Sequence, residues 1–294
     1  MKSGKAIGIG VLSVLAAVML AGCKGNDWDE NAEAPRGEIT PVSREEGSGT
    51  RGAFTELVGL EEDIDGETFD MTTARSEVTN STAVTINSVS GNKSAIGYIS
   101  LGSMNDMIKP LAIDGVMPSI ETVKDGSYKI ARPFNIVYRD DLSEIGQDFV
   151  QYIMSDQGQS IIEEEGYVSQ GSEGKYSASL DGGGSLSVSG SSSVEPVMEK
   201  LAEEYEVLNP DVNIEVQVSD STTGVSTVLE GVTDIGMASR NLNDSEVQAG
   251  AIPKVIAMDG IVVIVNKQNP LEELTTDQLR AIYSGEAKNW EDIL

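Results

Sequence analysis

The chain has no histidine and only one cysteine, Cys23, among its 294 residues. Histidine is the most usual general base at neutral pH, and histidine and cysteine supply most zinc ligands in proteins. Catalysis that depends on histidine, the common zinc sites and an intramolecular disulfide are therefore excluded. Any hydrolytic activity, such as that of a phosphatase, would have to use carboxylates alone.

Basic residues are scarce as well. The chain has 20 Lys and Arg against 48 Asp and Glu, which gives a formal net charge of −28. Such a charge argues against nucleic acid as a partner and against electrostatic attachment to anionic lipid. It does not exclude a small anion as ligand, because salt screens surface charge beyond about 10 Å. We interpret the acidity as a surface property that favours solubility.

The N-terminus contains an apolar run at residues 6–20, which follows Lys2 and Lys5. The run is too short and too rich in glycine for a membrane-spanning helix, which needs about 20 residues. Basic residues followed by a short apolar run are typical of a secretory signal. The sequence therefore predicts a signal peptide over residues 1–22.

Residues 20–23 read Leu-Ala-Gly-Cys, which resembles a bacterial lipobox. We expect Cys23 to be the lipidated N-terminus of the mature protein, and the alternative is a free structural thiol. A lipid chain contributes about 0.8 kcal/mol per buried methylene and would hold the protein on the outer face of the bacterial cell membrane. Residues 23–36 are polar and contain proline, which predicts a tether rather than a folded segment.

Apolar strand-like segments alternate with helix-like segments, which predicts an α/β fold. Residues 38–43 and 95–101 read as strands, and residues 142–165 have helical periodicity. Residues 170–184 are rich in serine and glycine and predict a linker. A new strand is expected at residues 185–189.

Residues 43–54 form the most informative segment, because they combine Arg44, the hydroxyls of Ser48 and Thr50, and several glycines ahead of an apolar run. A helix that begins at Ser48 would direct its free N–H groups and its positive dipole end at one point. The planar fork of an arginine suits a tetrahedral oxyanion. The segment predicts an anion-binding loop, and the alternative is a turn with a surface arginine. It is not a nucleotide P-loop, which needs Gly-Lys-Ser/Thr.

Two further hydroxyl-rich turns follow strands and precede helices, at residues 190–196 and 219–224. Ser and Thr are common helix N-caps, so each turn alone is weak evidence. A faint repeat also relates residues 80–100 to residues 220–239. It predicts two lobes of the same βαβ scheme with a ligand between them, and the alternative is coincidence.

Taken together, these segments resemble the extracytoplasmic phosphate-binding proteins of bacterial ABC phosphate importers (the PstS type). The resemblance covers residues 38–294, and its motifs lie at residues 44–50, 95–98, 190–194, 234–240, 257–266 and 274–290. It implies an α/β, two-lobed, periplasmic-binding-protein-like (type II) fold with a ligand cleft between the lobes. It implies no cofactor and no metal.

The order of the motifs differs from the family's common order, in which the Gly-Ser-Ser-Ser-Val segment comes first. Here the chain begins near Arg44 and reaches that segment only after the linker. We interpret this as a circular permutation, which proteins tolerate when the old termini lie close together. The predicted lobes are residues 106–261, and residues 37–101 together with 262–294, with hinge crossings between them.

By resemblance, both lobes contribute to the phosphate site. The implied contacts are Arg44, Ser48, Gly49 and Thr50 from one lobe, and Ser193, Val194 and Ser221 from the other. Glu46 matches the position that pairs with the arginine in relatives, and the alternative is a solvated loop carboxylate.

The resemblance does not account for selectivity between phosphate and sulfate. Phosphate at neutral pH carries a proton and sulfate does not, so a carboxylate acceptor in the site would favour phosphate. Some relatives place this Asp where the present chain has Arg240. Asp259 is the candidate replacement, either as the proton acceptor or as an ion-pair partner of Arg240, and Asp220 is a weaker candidate.

The leading hypothesis is a monomeric, lipid-anchored binding protein that captures inorganic phosphate by hinge closure and delivers it to the membrane subunits of an ABC permease. One alternative is the same fold binding sulfate, molybdate or tungstate. Others are a carboxylate-based phosphatase, and a surface phosphate sensor or adhesin without transport.

Overall fold

The computed structural model describes residues 35–65, 67–178, 180 and 182–293. The predicted signal peptide, the lipidation site Cys23 and most of the predicted tether lie outside these residues. No helix within the described ranges combines the length and apolar character needed to cross a membrane.

The helices mostly pack against one large sheet. The α-helices in the described residues are α1 (Gly49–Leu57), α2 (Thr82–Gly91), α3 (Ile120–Lys124), α4 (Glu144–Ile153), α5 (Asp156–Glu164), α6 (Glu195–Leu208), α7 (Ser221–Leu229), α8 (Asp244–Gln248) and α9 (Thr276–Ser284). The strands are β1 (Thr40–Arg44), β2 (Glu61–Ile64), β3 (Glu67–Asp70), β4 (Glu77–Thr79), β5 (Ala95–Ser100), β6 (Ile108–Pro110), β7 (Ala112–Ile113), β8 (Ala131–Tyr138), β9 (Val168–Ser169), β10 (Gly184–Ser191), β11 (Val212–Ser219), β12 (Ile235–Ala238), β13 (Ile252–Asn266) and β14 (Glu273–Leu274).

The large sheet has the strand order β11-β10-β12-β8-β13-β5-β1-β4, and β6 and β9 also pair with β13. At one end β10 lies parallel to β11 and β12, and at the other end β1 lies parallel to β4 and β5. Each end is therefore a βαβαβ unit whose first strand lies in the middle. The predicted α/β fold is confirmed.

Strand β13 links the two ends of the sheet. Its residues 252–260 pair with β8, and its residues 261–266 pair with β5 and β6. We call β1, β4, β5, β6 and residues 261–266, with the helices packed on them, the Arg44 half. We call β8, β10, β11, β12 and residues 252–260, with their helices, the Ser193 half.

Each half has its own apolar core. In the Arg44 half, the ring of Phe54 stacks on Tyr98 with centroids 4.0 Å apart, and Tyr283 packs edge-on at 4.9 Å. In the Ser193 half, Phe149 packs edge-on against Tyr205 at 5.0 Å. Each buried aromatic side chain stabilises its core by about 1.5–3 kcal/mol. Because the cores are separate, the halves can move relative to each other without exposing either one.

Residues 108–130 pack differently from the sequence-based lobe boundary. Strand β6 pairs with residues 264–266, and Leu111 and Tyr128 lie in the core of the Arg44 half. The predicted continuous lobe therefore begins near residue 131, where β8 starts, and not near residue 106. The boundary was misplaced because a three-residue strand carries no readable periodicity.

The first described residues lie beside the last ones. The N–H of Ile39 donates to the carbonyl of Lys288 at 2.9 Å, and the N–H of Trp290 donates to the carbonyl of Gly37 at 3.0 Å. In a circular permutation the present ends of the chain are joined in the unpermuted relatives, so these ends are expected to lie close together. The permutation itself stays a prediction.

The predicted linker contains no helix or strand between residue 170 and β10 where the structure describes it, but several hydrogen bonds attach it to the Ser193 half, among them those of Tyr176. The hydroxyls of Tyr176 and Tyr205 both donate to Asp148 Oδ2, at 2.5 and 2.7 Å. Asn209 Nδ2 in turn donates to the Tyr176 hydroxyl at 2.9 Å. Asp148 thus connects the linker to α4 and α6.

Replacing Asp148 with alanine is expected to lower the free energy of unfolding by about 2–4 kcal/mol, because it leaves buried tyrosine hydroxyls without their acceptor. Urea unfolding monitored by circular dichroism measures this change. The matched control is Asp140→Ala, an exposed carboxylate whose removal should change stability by less than about 0.5 kcal/mol. Equal losses in the two variants would contradict the role assigned to Asp148.

Candidate anion-binding site

Four helix N-termini meet where the Arg44 half faces the Ser193 half. Helices α1 and α2 follow β1 and β4, and α6 and α7 follow β10 and β11, so each begins at the carboxyl end of a parallel strand. Thr50 Oγ1 lies 2.9 Å from Ser193 Oγ, and Thr82 Oγ1 lies 3.4 Å from the same oxygen. Helix N-termini carry unpaired N–H groups and positive partial charge. Their convergence makes this point favourable for an anion.

Buried hydroxyls surround the same point. The hydroxyl cluster, whose members are at most 6% exposed, consists of Thr50, Thr82, Ser191, Ser192, Ser193, Ser221 and Ser239. Ser191 Oγ donates to Ser239 Oγ at 2.9 Å, and the N–H of Ser239 donates to Ser221 Oγ at 3.0 Å. A hydroxyl can donate or accept, so the cluster can adapt to an oxyanion in more than one protonation state.

Arg44 supplies the positive charge. Its side chain is buried, and its Nε and Nη2 donate to the two carboxylate oxygens of Glu45 at 2.8 and 2.7 Å. Nη2 also donates to Ser192 Oγ at 3.1 Å, which carries the contact across to the other half. The Arg44 N–H donates to the hydroxyl of Tyr98 at 3.3 Å, which fixes the end of β1. The guanidinium is thus held in place within the hydroxyl cluster.

The pairing predicted for Glu46 is wrong by one residue, because Glu45 makes both bonds to Arg44 and Glu46 is exposed. Strand β1 ends at Arg44, so the turn begins at Glu45 and brings the two side chains together. Gly47 has a φ of 88°, and its carbonyl accepts from the N–H and Oγ1 of Thr222 at 3.2 and 3.1 Å. The loop is therefore drawn toward α7 and leaves Glu46 outside.

Two glycines allow the halves to approach this closely. A Cβ on Gly49 would lie 2.3 Å from Ser221 Oγ and 2.7 Å from Ser239 Oγ. A Cβ on Gly47 would lie 2.6 Å from Asp220 Oδ1, at a backbone conformation that favours glycine in any case. The glycines of the opening segment are therefore needed for contact between the halves.

Three of the predicted residues make hydrogen bonds within the protein. Val194 is buried, but its N–H donates to the carbonyl of Ser191 at 3.0 Å. Ser48 caps α1, and its Oγ accepts from the N–H of Arg51 at 3.4 Å. Asp220 caps α7 and accepts from Thr223, so its carboxylate serves the helix.

Asp259 is buried in an ion pair, but its partner is Arg132. Its Oδ2 accepts from Arg132 Nε and Nη2 at 3.2 and 3.1 Å. Its Oδ1 accepts from Ser100 Oγ at 2.8 Å and from the N–H of Leu101 at 3.0 Å. Burial raises the pKa of Asp259 to about 6. Both carboxylate oxygens are therefore occupied by donors within the protein.

The predicted pairing of Asp259 with Arg240 is wrong. Arg240 donates to both carboxylate oxygens of Glu246 at 2.9 and 2.7 Å, and to Thr222 Oγ1 at 3.2 Å. Asp259 instead lies directly opposite Arg132 in the antiparallel pairing of β13 with β8. The register of β13 against β8 therefore determines that Arg132, and not Arg240, is the partner of Asp259.

A cavity of about 600 Å³ is lined by neighbours of the hydroxyl cluster in the chain, although no residue of the cluster itself lines it. Glu46, Gly47 and Ser48 line it from the Arg44 half, and Thr222 and Arg240 line it from the Ser193 half. The cavity therefore lies at the seam between the halves.

Sequence reasoning missed several members of the site, namely Glu45, Thr82, Ser191, Ser192, Ser239 and Arg132. For Thr82 a signal existed, because the internal repeat relates the start of α2 to the start of α7. Ser191 and Ser192 lie within the predicted turn at residues 190–196. Arg132 was detectable only as a charged residue near the start of an apolar segment.

The described residues contain no group of three or more Asp, Glu, His or Cys arranged to hold a metal ion. What they bring together is one arginine, seven hydroxyls and four helix N-termini. Hydrogen bonds to a charged group contribute about 1.5–3 kcal/mol each. The arrangement has the chemistry of a binding site for a small oxyanion.

Comparison with known proteins places the fold in a class. A model of the PBP superfamily domain matches residues 9–157 and 176–294. The predicted periplasmic-binding-protein-like fold is confirmed.

Relatives narrow this class to a family. The phosphate-binding protein PstS 2 of Streptococcus agalactiae serotype V is 44% identical over 296 residues, which cover 100% of this chain and 99% of the relative. The PstS 2 protein of Streptococcus pneumoniae serotype 4 is 41% identical over 283 residues, covering 95% and 97%. The crystal structure of a phosphate-binding protein of a Streptococcus pneumoniae phosphate ABC transporter has a TM-score of 0.70 at 42% identity, covering 88% of this chain and 100% of that one. The chain belongs to the PstS family of phosphate-binding proteins within the PBP superfamily.

Proposed function

We propose that this protein captures inorganic phosphate outside the cytoplasm and delivers it to an ABC importer. The convergence of four helix N-termini, Arg44 and the hydroxyl cluster at one buried point is the observation that carries the proposal. Relatives that match nearly the whole chain are named as phosphate-binding proteins, and one belongs to a phosphate ABC transporter.

The proposed ligand contacts come from both halves. They are Arg44, Ser48, Gly49 and Thr50 from the segment after β1, Ser193 and Ser221 from the Ser193 half, and also Thr82, Ser192 and Ser239. Phosphate in this position replaces hydroxyl–hydroxyl contacts such as that between Thr50 and Ser193. Its oxygens accept hydrogen bonds from the helix N-termini and from the guanidinium of Arg44.

In this mechanism, the binding of phosphate is coupled to the closure of the two halves. The contacts of Arg44 with Ser192, and of Gly47 with Thr222, join the two halves across the seam. A ligand that bonds to both halves stabilises this closed arrangement by its differential affinity for it. Release to the importer requires the same contacts to open.

We further propose that the protein acts as a monomer without enzymatic activity, held at the outer face of the cell membrane by a lipid on Cys23. A single lipid chain gives only marginal membrane binding, so stable anchoring would need a second lipid chain or another membrane contact. The membrane subunits of the importer are the proposed partners.

The same fold binding another oxyanion is the second candidate function. Both carboxylate oxygens of Asp259 accept hydrogen bonds from Arg132, Ser100 and Leu101. Both carboxylate oxygens of Glu45 accept hydrogen bonds from Arg44. A hydroxyl of the cluster, rather than a carboxylate, must then accept the phosphate proton. Without a carboxylate acceptor, sulfate meets less repulsion, which favours this alternative.

Titration calorimetry of the lipid-free protein with phosphate, sulfate and molybdate at pH 7 separates the candidates. We expect phosphate to bind with one-to-one stoichiometry and more tightly than sulfate, because the cluster hydroxyl that accepts the phosphate proton has to turn and donate when sulfate binds. Arsenate, which carries a proton as phosphate does, is the matched control and should bind. Equal or tighter binding of sulfate or molybdate would replace phosphate with that anion.

A further inference from the structure

One buried ion pair ties together the segments that join the two halves. Arg132 and Asp259 are each about 1% exposed and lie opposite each other in the pairing of β8 with β13. Asp259 also accepts from Ser100 Oγ and from the N–H of Leu101, at the end of β5. The end of β5, the start of β8 and the middle of β13 therefore meet at a single carboxylate.

The same guanidinium reaches the hydroxyl cluster. While Nε and Nη2 of Arg132 donate to Asp259, Nη1 donates to the carbonyl oxygen of Ser239 at 3.1 Å. Ser239 follows directly on β12. Its N–H donates to Ser221 Oγ at 3.0 Å, and its Oγ accepts from Ser191 Oγ at 2.9 Å. One arginine thus connects the crossing segments with a residue that contacts two cluster hydroxyls.

We propose that Arg132 and Asp259 are positioning residues that hold Ser239 in place and thereby fix the hydroxyl cluster for the anion. The proposal rests on the proposed function only for the identity of the anion. Hydroxyls rotate freely, so a site made of them binds tightly only if their backbones are held in advance.

Geometry separates this role from that of a simple stabilising ion pair. The pair is neutral as a whole, so it adds no net charge beside Arg44. A buried ion pair is itself weak evidence for stability, because desolvation offsets the attraction. A planar guanidinium spans a carboxylate and a carbonyl at once, whereas a lysine ammonium is a single point of charge.

The test uses two variants at pH 8, where Asp259 is ionised in the wild-type protein. Arg132→Lys keeps the charge pair but loses the fork. Arg132→Met with Asp259→Asn removes both charges and keeps an acceptor for Ser100 and Leu101. We expect both proteins to fold and to bind phosphate about tenfold more weakly than wild type, because the carbonyl of Ser239 loses its donor.

Amide hydrogen exchange, followed by NMR in the absence of ligand, gives a readout that does not depend on binding. The N–H of Ser239 should exchange at least about tenfold faster in both variants, while core amides such as that of Val188 keep their wild-type rates. Uniform acceleration of all amides, or no change at Ser239, would show that the pair only stabilises the fold and would overturn the proposal. The outcome is decisive even if the wild-type protein fails to bind phosphate, which would refute the proposed function instead.

The binding data have their own control and a second check. Lys254→Met with Glu173→Leu removes a surface ion pair that also involves β13, and it should leave the affinity unchanged. If Arg132 acts through Ser239, adding Ser239→Ala to Arg132→Lys should cost little beyond the larger single loss. Losses that simply multiply would contradict an action through Ser239.

Discussion

Replacing Arg44 with alanine is expected to weaken phosphate binding at least about a hundredfold while leaving the fold intact. The guanidinium is the positive group that bridges the halves, through its bond to Ser192. Its removal takes away charge-assisted hydrogen bonds to the anion and leaves the carboxylate of Glu45 unpaired beside the ligand. Both effects act in the same direction. Titration calorimetry measures the loss, and thermal unfolding checks the fold.

The conservative variant Arg44→Lys tests the geometry separately from the charge. A lysine cannot donate to Glu45 in the bidentate manner of an arginine, so its affinity should fall between those of wild type and alanine. Arg75→Ala is the control, since Arg75 forms an exposed ion pair with Glu38 and its loss should leave the affinity unchanged. Wild-type affinity in Arg44→Ala would mean that the anion binds elsewhere.

The local structure of this protein was predictable wherever a short segment determines it. Strand β10 (Gly184–Ser191) lies where residues 185–189 predicted a strand, and α1 begins at the hydroxyl turn after Arg44. The single helix expected over residues 142–165 is in fact two, α4 and α5. Ser155 caps the second one and breaks a pattern whose apolar period runs on across the break.

The internal repeat was detected, but its register was off by one. In the structure, Ser81 and Asp220 are the two N-caps, so Thr82 corresponds to Ser221 as the first residue of its helix. The residue types alone match Ser81 with Ser221, which is one position out of register. Function follows position in the helix rather than residue type, and this is why Thr82 was missed as a site residue.

The partners of the charged residues were not predictable, for a physical reason. Arg132 and Asp259 are 127 residues apart and meet only through the register of two antiparallel strands. Shifting that register by one residue would turn each side chain to the opposite face. No local pattern encodes this choice, so the sequence could identify Asp259 as a buried acid but not its partner.

Replacing Gly49 with alanine is expected to reduce phosphate affinity by a hundredfold or more, on the order of 3 kcal/mol. The added methyl carbon would lie 2.3 Å from Ser221 Oγ, closer than any ordinary contact, so the N-termini of α1 and α7 must move apart. Donors displaced by about 1 Å no longer reach one anion together.

The matched control is Gly52→Ala on the same helix, where the nearest atom is Arg240 Cδ at 3.9 Å. Alanine favours a helix interior over glycine by about 1 kcal/mol, so this control should be slightly more stable and bind normally. Calorimetry measures the affinity, and small-angle scattering with and without phosphate measures the closure of the two halves. A Gly49→Ala protein that closes and binds like Gly52→Ala would refute contact between the halves at Gly49.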